Sequence, residues 1–292
     1  MRDLRPARHR RAVRRRRTAA LVVLALASLV AGIAAGAGGG KDTESGGRAS
    51  RSGGGRAHAD PPSDAQLERR TVSRVLAYTS YISAGSPRQR EVALTFDDGP
   101  GPYTPQILSI LKREHVPATF FVVGQSLNSF APALRQELHG GFPVEDHTER
   151  HLMLGRLGIA QQRREIEDQI IRVQSLGARP PLFFRPPYGS FDERTLSILR
   201  QKKLLMVLWT VDTEDWRQPG VRAIVEAAAR ARPGGIVLMH DAGGDRSQTV
   251  AALPHLIRRL RKRRLRLVTV AQLVRDDPPP RHQRPPTNLS GG

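Results

Sequence analysis

The chain has 292 residues, 39% of them hydrophobic, and its polar residues concentrate at the two ends. This length allows one large domain or two small ones, and residues 90–275 are long enough to bury a substantial core. Cysteine is absent, which excludes disulfides and thiolate chemistry, so any bound metal must be held by His, Asp or Glu.

The net charge of +20 does not by itself indicate a nucleic-acid partner. Residues 1–17 are rich in arginine and directly precede an apolar run, so we interpret them as a topological signal. A second basic cluster, residues 258–266, lies on the last predicted helix, where a solvated outer face explains it. Neither cluster carries aromatic residues that could stack on bases. We therefore expect no nucleic acid to bind.

Residues 1–40 combine this basic terminus with either a signal peptide or a transmembrane anchor. Residues 19–37 carry no charge, and as a helix they would span about 28 Å, marginally enough for a bilayer. The same segment fits the core of a signal peptide. Both interpretations place the rest of the chain outside the cytoplasm, either secreted or anchored to the membrane. Residues 41–64 are rich in Gly, Ser, Arg and Pro and are predicted to form a flexible linker.

Two short segments flank the globular region. Residues 65–89 are predicted to be a helical lead-in, because Leu67, Val72 and Val75 recur at roughly helical spacing. Residues 276–292 contain three consecutive prolines and are predicted to be a disordered tail.

Within residues 90–275, apolar strand-like runs alternate with amphipathic helical stretches. We predict strands at 92–96, 119–123, 183–184, 205–211, 236–239 and 265–270, and helices at 105–114, 131–138, 159–176, 193–201, 224–231 and 250–261. Alternation of this kind predicts an α/β fold with a parallel sheet and crossover helices. Closure into a barrel would place functional residues at the carboxyl ends of the strands.

Four predicted strands are followed by polar residues at that end. These residues are Asp97 and Asp98, Arg185, Asp212 and Asp215, and His240. Because the carboxyl ends of parallel strands share one edge, we expect these side chains to form a single site.

His147 and His151 are candidate metal ligands. Two histidines four residues apart lie on one face of a helical turn, where both imidazoles can reach a single ion. A carboxylate from elsewhere in the fold would complete a three-ligand site with an open position. Open sites belong to catalysis, whereas structural zinc is closed by four ligands.

Five motifs occur in a characteristic order along residues 90–274. They are TFDDGP (95–100), HTERH (147–151), RPPYG (185–189), DTEDW (212–216) and LMH (238–240). With them the chain resembles the NodB-type polysaccharide deacetylases, carbohydrate esterase family four. The resemblance implies a distorted (β/α) barrel and a hydrolase that removes acetyl groups from N-acetylated or O-acetylated sugars. It also implies a divalent metal, with zinc expected first and cobalt, manganese or nickel as alternatives.

The resemblance implies a role for each residue of the metal site. Asp98, His147 and His151 match the metal ligands, and Asp97 matches the catalytic base. Arg185 matches the arginine that orients this base, since a nearby guanidinium keeps a carboxylate ionised.

It implies further roles on the leaving-group and substrate sides. His240 resembles the general acid and Asp215 the partner that holds it. The Tyr188 backbone N–H matches an oxyanion donor, in a loop stiffened by Pro187. Trp216 and Leu238 are expected to form an apolar wall for the acetyl methyl group, and Pro187 is expected to contact the substrate as well.

One departure from the family pattern precedes His147. The family usually has Gly-Asn there, whereas this chain has Glu145 and Asp146. The extra carboxylate could support a ligand histidine from behind, become a fourth ligand, or change the preferred metal.

We expect a deacetylase of extracytoplasmic N-acetylglucosamine polymers, with peptidoglycan or chitin-like oligomers as the substrate. One alternative keeps the site but makes it an O-acetyl xylan esterase. A remote alternative is a non-catalytic cationic surface protein that binds an anionic polymer. We expect a monomer that contacts the membrane only if the N-terminal segment is uncleaved.

Overall fold

The computed structural model describes residues 63–283. The expected anchor at 19–37, almost all of the expected linker, and residues 284–292 lie outside this part of the chain. No helix within residues 63–283 is long and apolar enough to cross a bilayer.

Strands and helices alternate through the described residues. The strands are β1 (Tyr81–Ile82), β2 (Glu91–Asp97), β3 (Thr119–Val122), β4 (Val144–Asp146), β5 (Phe183–Phe184), β6 (Leu205–Val207), β7 (Val211–Asp212), β8 (Gly235–His240) and β9 (Arg266–Val268). The helices are α1 (Asp64–Leu76), α2 (Thr104–Arg113), α3 (Leu127–His139), α4 (Ile159–Ser175), α5 (Glu193–Lys202), α6 (Val221–Ala228), α7 (Ser247–Lys262) and α8 (Val270–Asp276).

These strands form one parallel sheet in the order β1-β6-β5-β4-β3-β2-β8-β7, with β9 also paired to β2. A flat sheet from β6 to β7 would be about 29 Å wide. Yet only residues 208–210 separate these two strands, a reach of at most about 14 Å. The sheet therefore curls until its ends approach, which agrees with the predicted (β/α) barrel architecture.

The apolar residues that predicted the strands fill the core. Every residue of β2 and β8 is buried, as expected for strands of a parallel sheet covered by helices. Phe96 stacks on Phe120 of the neighbouring strand with ring centroids 5.2 Å apart. This packing holds the carboxyl ends of β2, β3 and β8 at a common level.

Three elements differ from the sequence prediction. The strand β4 was not predicted, because Val144–Asp146 contains a single apolar residue. The predicted strand 205–211 is split into β6 and β7, since Leu208 N donates to Ile82 O while Thr210 N donates to Ile236 O. The predicted strand 265–270 ends at Val268, and α8 follows it.

The segments that flank the globular region are more ordered than predicted. In the lead-in, α1 is followed by β1, which adds an edge strand to the sheet. In the predicted tail, Tyr78 Oη donates to Pro279 O at 2.9 Å and Tyr81 Oη to Gln283 O at 2.8 Å. Residues 276–283 are therefore held against the domain, which corrects the prediction of disorder for that stretch.

Candidate active site

The carboxyl ends of the central strands bring the predicted residues together. Asp97 and His240 are register partners on β2 and β8. Asp98 follows Asp97 directly, while His147 follows β4 and Arg185 follows β5. The parallel register therefore gathers residues that lie up to 143 positions apart in the chain.

Asp98, His147 and His151 form a candidate metal centre. Asp98 Oδ1 lies 3.1 Å from His151 Nε2 and 3.6 Å from His147 Nε2, and the three atoms lie within 4.8 Å of one another. Tetrahedral zinc with bonds of about 2.0–2.2 Å separates its ligands by about 3.4 Å. All three atoms are buried, and none has a hydrogen-bond partner in the described part of the chain. The site therefore fits a divalent cation.

The other nitrogen of each imidazole is already engaged. His147 Nδ1 lies 2.7 Å from the Arg185 carbonyl oxygen. Because a carbonyl can only accept, this nitrogen carries the proton, and the lone pair of Nε2 faces Asp98. His151 Nδ1 lies 3.2 Å from the Tyr188 hydroxyl. Such partners orient ligand histidines before a metal arrives.

The two histidines lie on a loop, so the predicted helical turn is wrong. Thr148 and His151 have positive φ angles of 69° and 58°. The loop is held by Thr148 N donating to Asp146 Oδ1 at 2.7 Å and by His151 N donating to Thr148 Oγ1 at 3.0 Å. The Asp146 carboxylate and the Thr148 hydroxyl thus impose the geometry that a helix was expected to supply.

The Asp98 carboxylate remains ionised in this setting. Burial raises its pKa, but the adjacent imidazoles of His147 and His151 more than offset this, and the pKa of Asp98 lies well below its ordinary value. An anionic oxygen is therefore present for a cation at neutral pH.

Asp97 forms a buried ion pair with Arg185. Arg185 Nη1 donates to Asp97 Oδ1 at 2.7 Å, and both side chains are at most 1% exposed. The guanidinium also donates to Thr95 Oγ1 and the Val207 carbonyl, and it stacks 4.1 Å over the Phe121 ring. Burial lowers the pKa of Arg185, yet arginine stays charged in proteins. The second oxygen of Asp97 is left facing His147 Nε2 at 3.8 Å.

His240 and Asp215 form a second buried pair. His240 Nδ1 lies 2.7 Å from Asp215 Oδ1. Asp215 Oδ2 accepts from the His240 backbone N–H and from Thr249 Oγ1. These bonds fix the imidazole and leave its Nε2 without a hydrogen-bond partner. An unpartnered protonated nitrogen is what a general acid requires.

The protonation state of this pair predicts the pH dependence of the enzyme. Burial lowers the pKa of His240, but Asp215 raises it more, to about 9. The imidazolium therefore stabilises the fold fully below about pH 6.5, and this contribution is lost as the pH rises through about 9.

We expect Asp215→Asn to move the alkaline limb of the pH–rate profile for acetate release down by about one to three pH units, because the carboxylate that raises the pKa of His240 is removed. An unchanged limb would exclude His240 as the acid.

Glu145 and Asp146 do not join the ligand set. Glu145 Oε2 accepts from the backbone N–H groups of Leu182 and Phe183 at 2.8 and 2.9 Å, and burial raises its pKa to about 8. Asp146 caps the loop at Thr148, and burial raises its pKa well above the ordinary value. Asp146 thus holds the ligand loop through Thr148 N and does not bond a ligand imidazole, and neither residue belongs to the candidate ligand group found among residues 63–283.

A groove of about 520 Å³ opens onto the metal centre. Besides two of the metal-ligand residues, its walls include the predicted residues Tyr188 and Trp216. They also include two arginines, Arg150 and Arg246, that were not predicted to lie in the site. The full lining is Asp98, Pro100, Gly101, Pro102, Val123, Gln125, Ser126, Ser129, Phe130, Arg150, His151, Tyr188, Trp216, Ala242, Gly243 and Arg246.

Two predicted substrate contacts are absent from that lining. Leu238 is fully buried in a core cluster that also contains Phe121 and Trp209. Pro187 is buried at the start of a 3₁₀ turn, where it precedes the positive φ of Tyr188. Arg246, in contrast, lines the groove but was not predicted. Gly243 and Gly244, which follow His240, were the sequence signal for the turn before it.

Comparison with known proteins identifies the family. Residues 84–207 match the family model described as polysaccharide deacetylase. The chain is 37% identical over 209 residues to a peptidoglycan-N-acetylglucosamine deacetylase of Bacillus cereus, covering 70% of this chain and 98% of that protein. It is 39% identical over 205 residues to a chitooligosaccharide deacetylase of Sinorhizobium fredii, covering 64% of this chain and 94% of that protein.

A solved structure agrees with the sequence comparison. The crystal structure of a peptidoglycan N-acetylglucosamine deacetylase superposes with a TM-score of 0.65 and 32% identity, covering 69% of this chain and 95% of that one. The sequence identity extends over nearly the whole length of each of these relatives, and the solved structure shares the curled parallel sheet. The chain therefore belongs to the polysaccharide deacetylase family, carbohydrate esterase family four, and is a deacetylase enzyme.

Proposed function

We propose that this enzyme is a metal-dependent hydrolase that removes acetyl groups from N-acetylglucosamine residues of an extracytoplasmic polysaccharide. Peptidoglycan is the first substrate proposed, and chitin-like oligomers the second. The observation that carries the proposal is the placement of three unpartnered ligand atoms beside two buried acid–base pairs, Asp97–Arg185 and Asp215–His240.

The two pairs divide the proton transfers that amide hydrolysis needs. A divalent ion held by Asp98, His147 and His151 would supply an acidified water and a polarised acetyl carbonyl. Asp97 takes the proton of the attacking water, since Arg185 holds one of its carboxylate oxygens and leaves the other facing the ligand histidine His147. His240 gives its proton to the departing sugar nitrogen.

The protonated state of His240 favours an amide substrate over an ester substrate. An amine is a poor leaving group and must be protonated, whereas an alcohol departs more easily. A buried imidazolium whose pKa is about 9 is a proton donor across the neutral range. This supports N-deacetylation, with O-deacetylation of xylan as the second candidate on the same site.

The relatives support the substrate class. Those cited above carry peptidoglycan-N-acetylglucosamine and chitooligosaccharide in their names, and another is a peptidoglycan-N-acetylmuramic acid deacetylase of Bacillus subtilis. Residues 19–37 lead us to place the enzyme outside the cytoplasm, either secreted or membrane-anchored. We propose zinc as the metal, because two imidazoles and one carboxylate with an open position are a typical catalytic zinc set.

Parallel assays on three polymers test the proposal. The zinc-loaded enzyme is incubated with peptidoglycan, chitooligosaccharide and acetylxylan, and released acetate is measured. We expect release from the amino-sugar polymers and little from acetylxylan. His240→Ala should lower N-deacetylation more than any ester hydrolysis, because only the amine needs the acid.

The remaining alternative makes a different prediction. A non-catalytic cationic surface protein would bind anionic polymer with an affinity that falls steeply with salt. Its binding would be indifferent to replacement of His147 and His151. Acetate release that depends on both histidines contradicts that alternative.

A further inference from the structure

The groove contains the buried guanidinium of Arg246, which has no ion-pair partner among the residues that the structure describes. Its side chain belongs to a residue only 4% exposed, and Nη1 donates to the Asp245 carbonyl at 3.0 Å. Nε has no hydrogen-bond partner, and no carboxylate within residues 63–283 forms an ion pair with the guanidinium. An unpaired buried charge is costly, because it has lost water without gaining a counter-charge. A ligand that supplies an anion would remove this cost.

The groups next to Arg246 in sequence do not compensate its charge. Arg246 immediately precedes α7, whose first turn contains no acidic residue, and a helix N-terminus already carries partial positive charge. The neighbouring Asp245 carboxylate accepts from Tyr103 Oη and Ser247 N instead of from Arg246. Asp245, the acid next to Arg246 in sequence, is therefore not its ion-pair partner.

The other arginine of the groove is a useful contrast. Arg150 Nε donates to the buried Glu165 at 2.7 Å, and its backbone N–H donates to the same carboxylate. Its charge is already neutralised. Arg246 is thus the groove cation left free to meet an anion, within the part of the chain that the structure describes.

Arg246 also lies close to the reacting centre. Gly243 has a φ of +75°, and a Cβ built there would meet Asp98 Oδ2 and, at 3.3 Å, Arg246 Nη2. The guanidinium and the ligand carboxylate therefore flank the same glycine. A group held by Arg246 would therefore lie beside the candidate metal centre.

We propose that Arg246 is a specificity-determining residue that binds a carboxylate carried by the substrate glycan next to the reacting acetamido group. This inference rests on the proposed function and narrows its substrate class to acidic amino-sugar strands, such as those with a lactyl ether carboxylate on alternate sugars. Neutral chitin-like oligomers carry no such group. Arginine suits this task because its fork matches a carboxylate in bidentate geometry.

Three tetrasaccharides test the proposal with wild-type enzyme. One alternates N-acetylglucosamine with N-acetylmuramic acid bearing free carboxylates, the second is the same compound with those carboxylates converted to primary amides, and the third is chitotetraose. We expect kcat/KM to be about ten- to hundred-fold higher for the acid than for its amide. Equal values for acid and amide would overturn the inference, while acetate release from none of the three would overturn the proposed function itself.

Variants locate the effect in Arg246. R246Q should reduce the ratio of kcat/KM for the acid to that for the amide to near one, chiefly through KM. R246K should retain part of this ratio, because lysine keeps the positive charge but lacks the bidentate guanidinium. Arg222→Gln is the matched control, since that side chain is 91% exposed and paired with Glu226; it should keep the wild-type ratio. Equal losses on all three substrates in R246Q would instead show a structural role. If R246Q does not fold, the acid-to-amide ratios of the wild-type enzyme and of R246K still test the inference.

Discussion

Replacing Asp97 by asparagine should lower deacetylation by about 10²–10⁴-fold, the range that a positioned general base contributes. Asparagine keeps the shape of the side chain but cannot accept the proton. The three metal-ligand atoms belong to other residues, so zinc stoichiometry should be unchanged. The checks are acetate release under saturating zinc and metal content after gel filtration.

A stability measurement accompanies this variant, because the substitution leaves Arg185 buried without its counter-charge. Breaking a buried ion pair costs about 3–5 kcal/mol, so a lower melting temperature is expected, and rates must be compared where both proteins are folded. Glu226→Gln, on the exposed surface of α6, is the handling control and should keep full turnover. Wild-type turnover in folded Asp97→Asn would remove Asp97 from the mechanism.

Removing the bound metal ion should lower deacetylation at least as much as Asp97→Asn does. Chelation is expected to abolish acetate release, and adding back zinc to restore it. Zinc at about 100 times its Kd should stabilise the fold by about 2.7 kcal/mol, which corresponds to a rise in Tm of roughly 5–10 °C for a domain of this size. The measurement is thermal unfolding of chelated and zinc-loaded protein.

His151→Ala is the better single-residue version of this test. His151 is partly exposed, whereas His147 is buried and holds the Arg185 carbonyl. The variant should lose both the zinc-dependent rise in Tm and turnover. His255→Ala, on the exposed face of α7, should keep both. A zinc-dependent rise retained in His151→Ala would place the metal elsewhere.

Each element with a strong local signal was predictable from sequence. The apolar run ending at Asp97 predicted β2, and the run ending at His240 predicted β8, because a strand buried on both faces must be continuously apolar. Their polar residues at the carboxyl ends then predicted a shared site. The short strand β4 had no such signal, because Val144 is its single apolar residue; its pairing with β3 and β5 is visible only in the structure.

The histidine loop shows where spacing is insufficient. A separation of four residues predicted a helical turn, yet a capped loop with two positive φ angles brings the same nitrogens together. Spacing constrains which atoms can meet but not the path of the backbone between them. Hydrogen bonds that the side chains of Asp146 and Thr148 accept from backbone N–H groups decided the path.

The sequence by itself determined the chemistry: the ligand types, the two acid–base pairs, the alternating βα order and the family. These are properties of residue identity and local pattern. Only the tertiary structure decided which imidazole nitrogen faces the candidate metal centre, which predicted contacts line the groove, and that Arg246 lies there without an ion-pair partner among residues 63–283. Those depend on desolvation and on contacts between residues far apart in the chain, and neither is written in the spacing of residues along it.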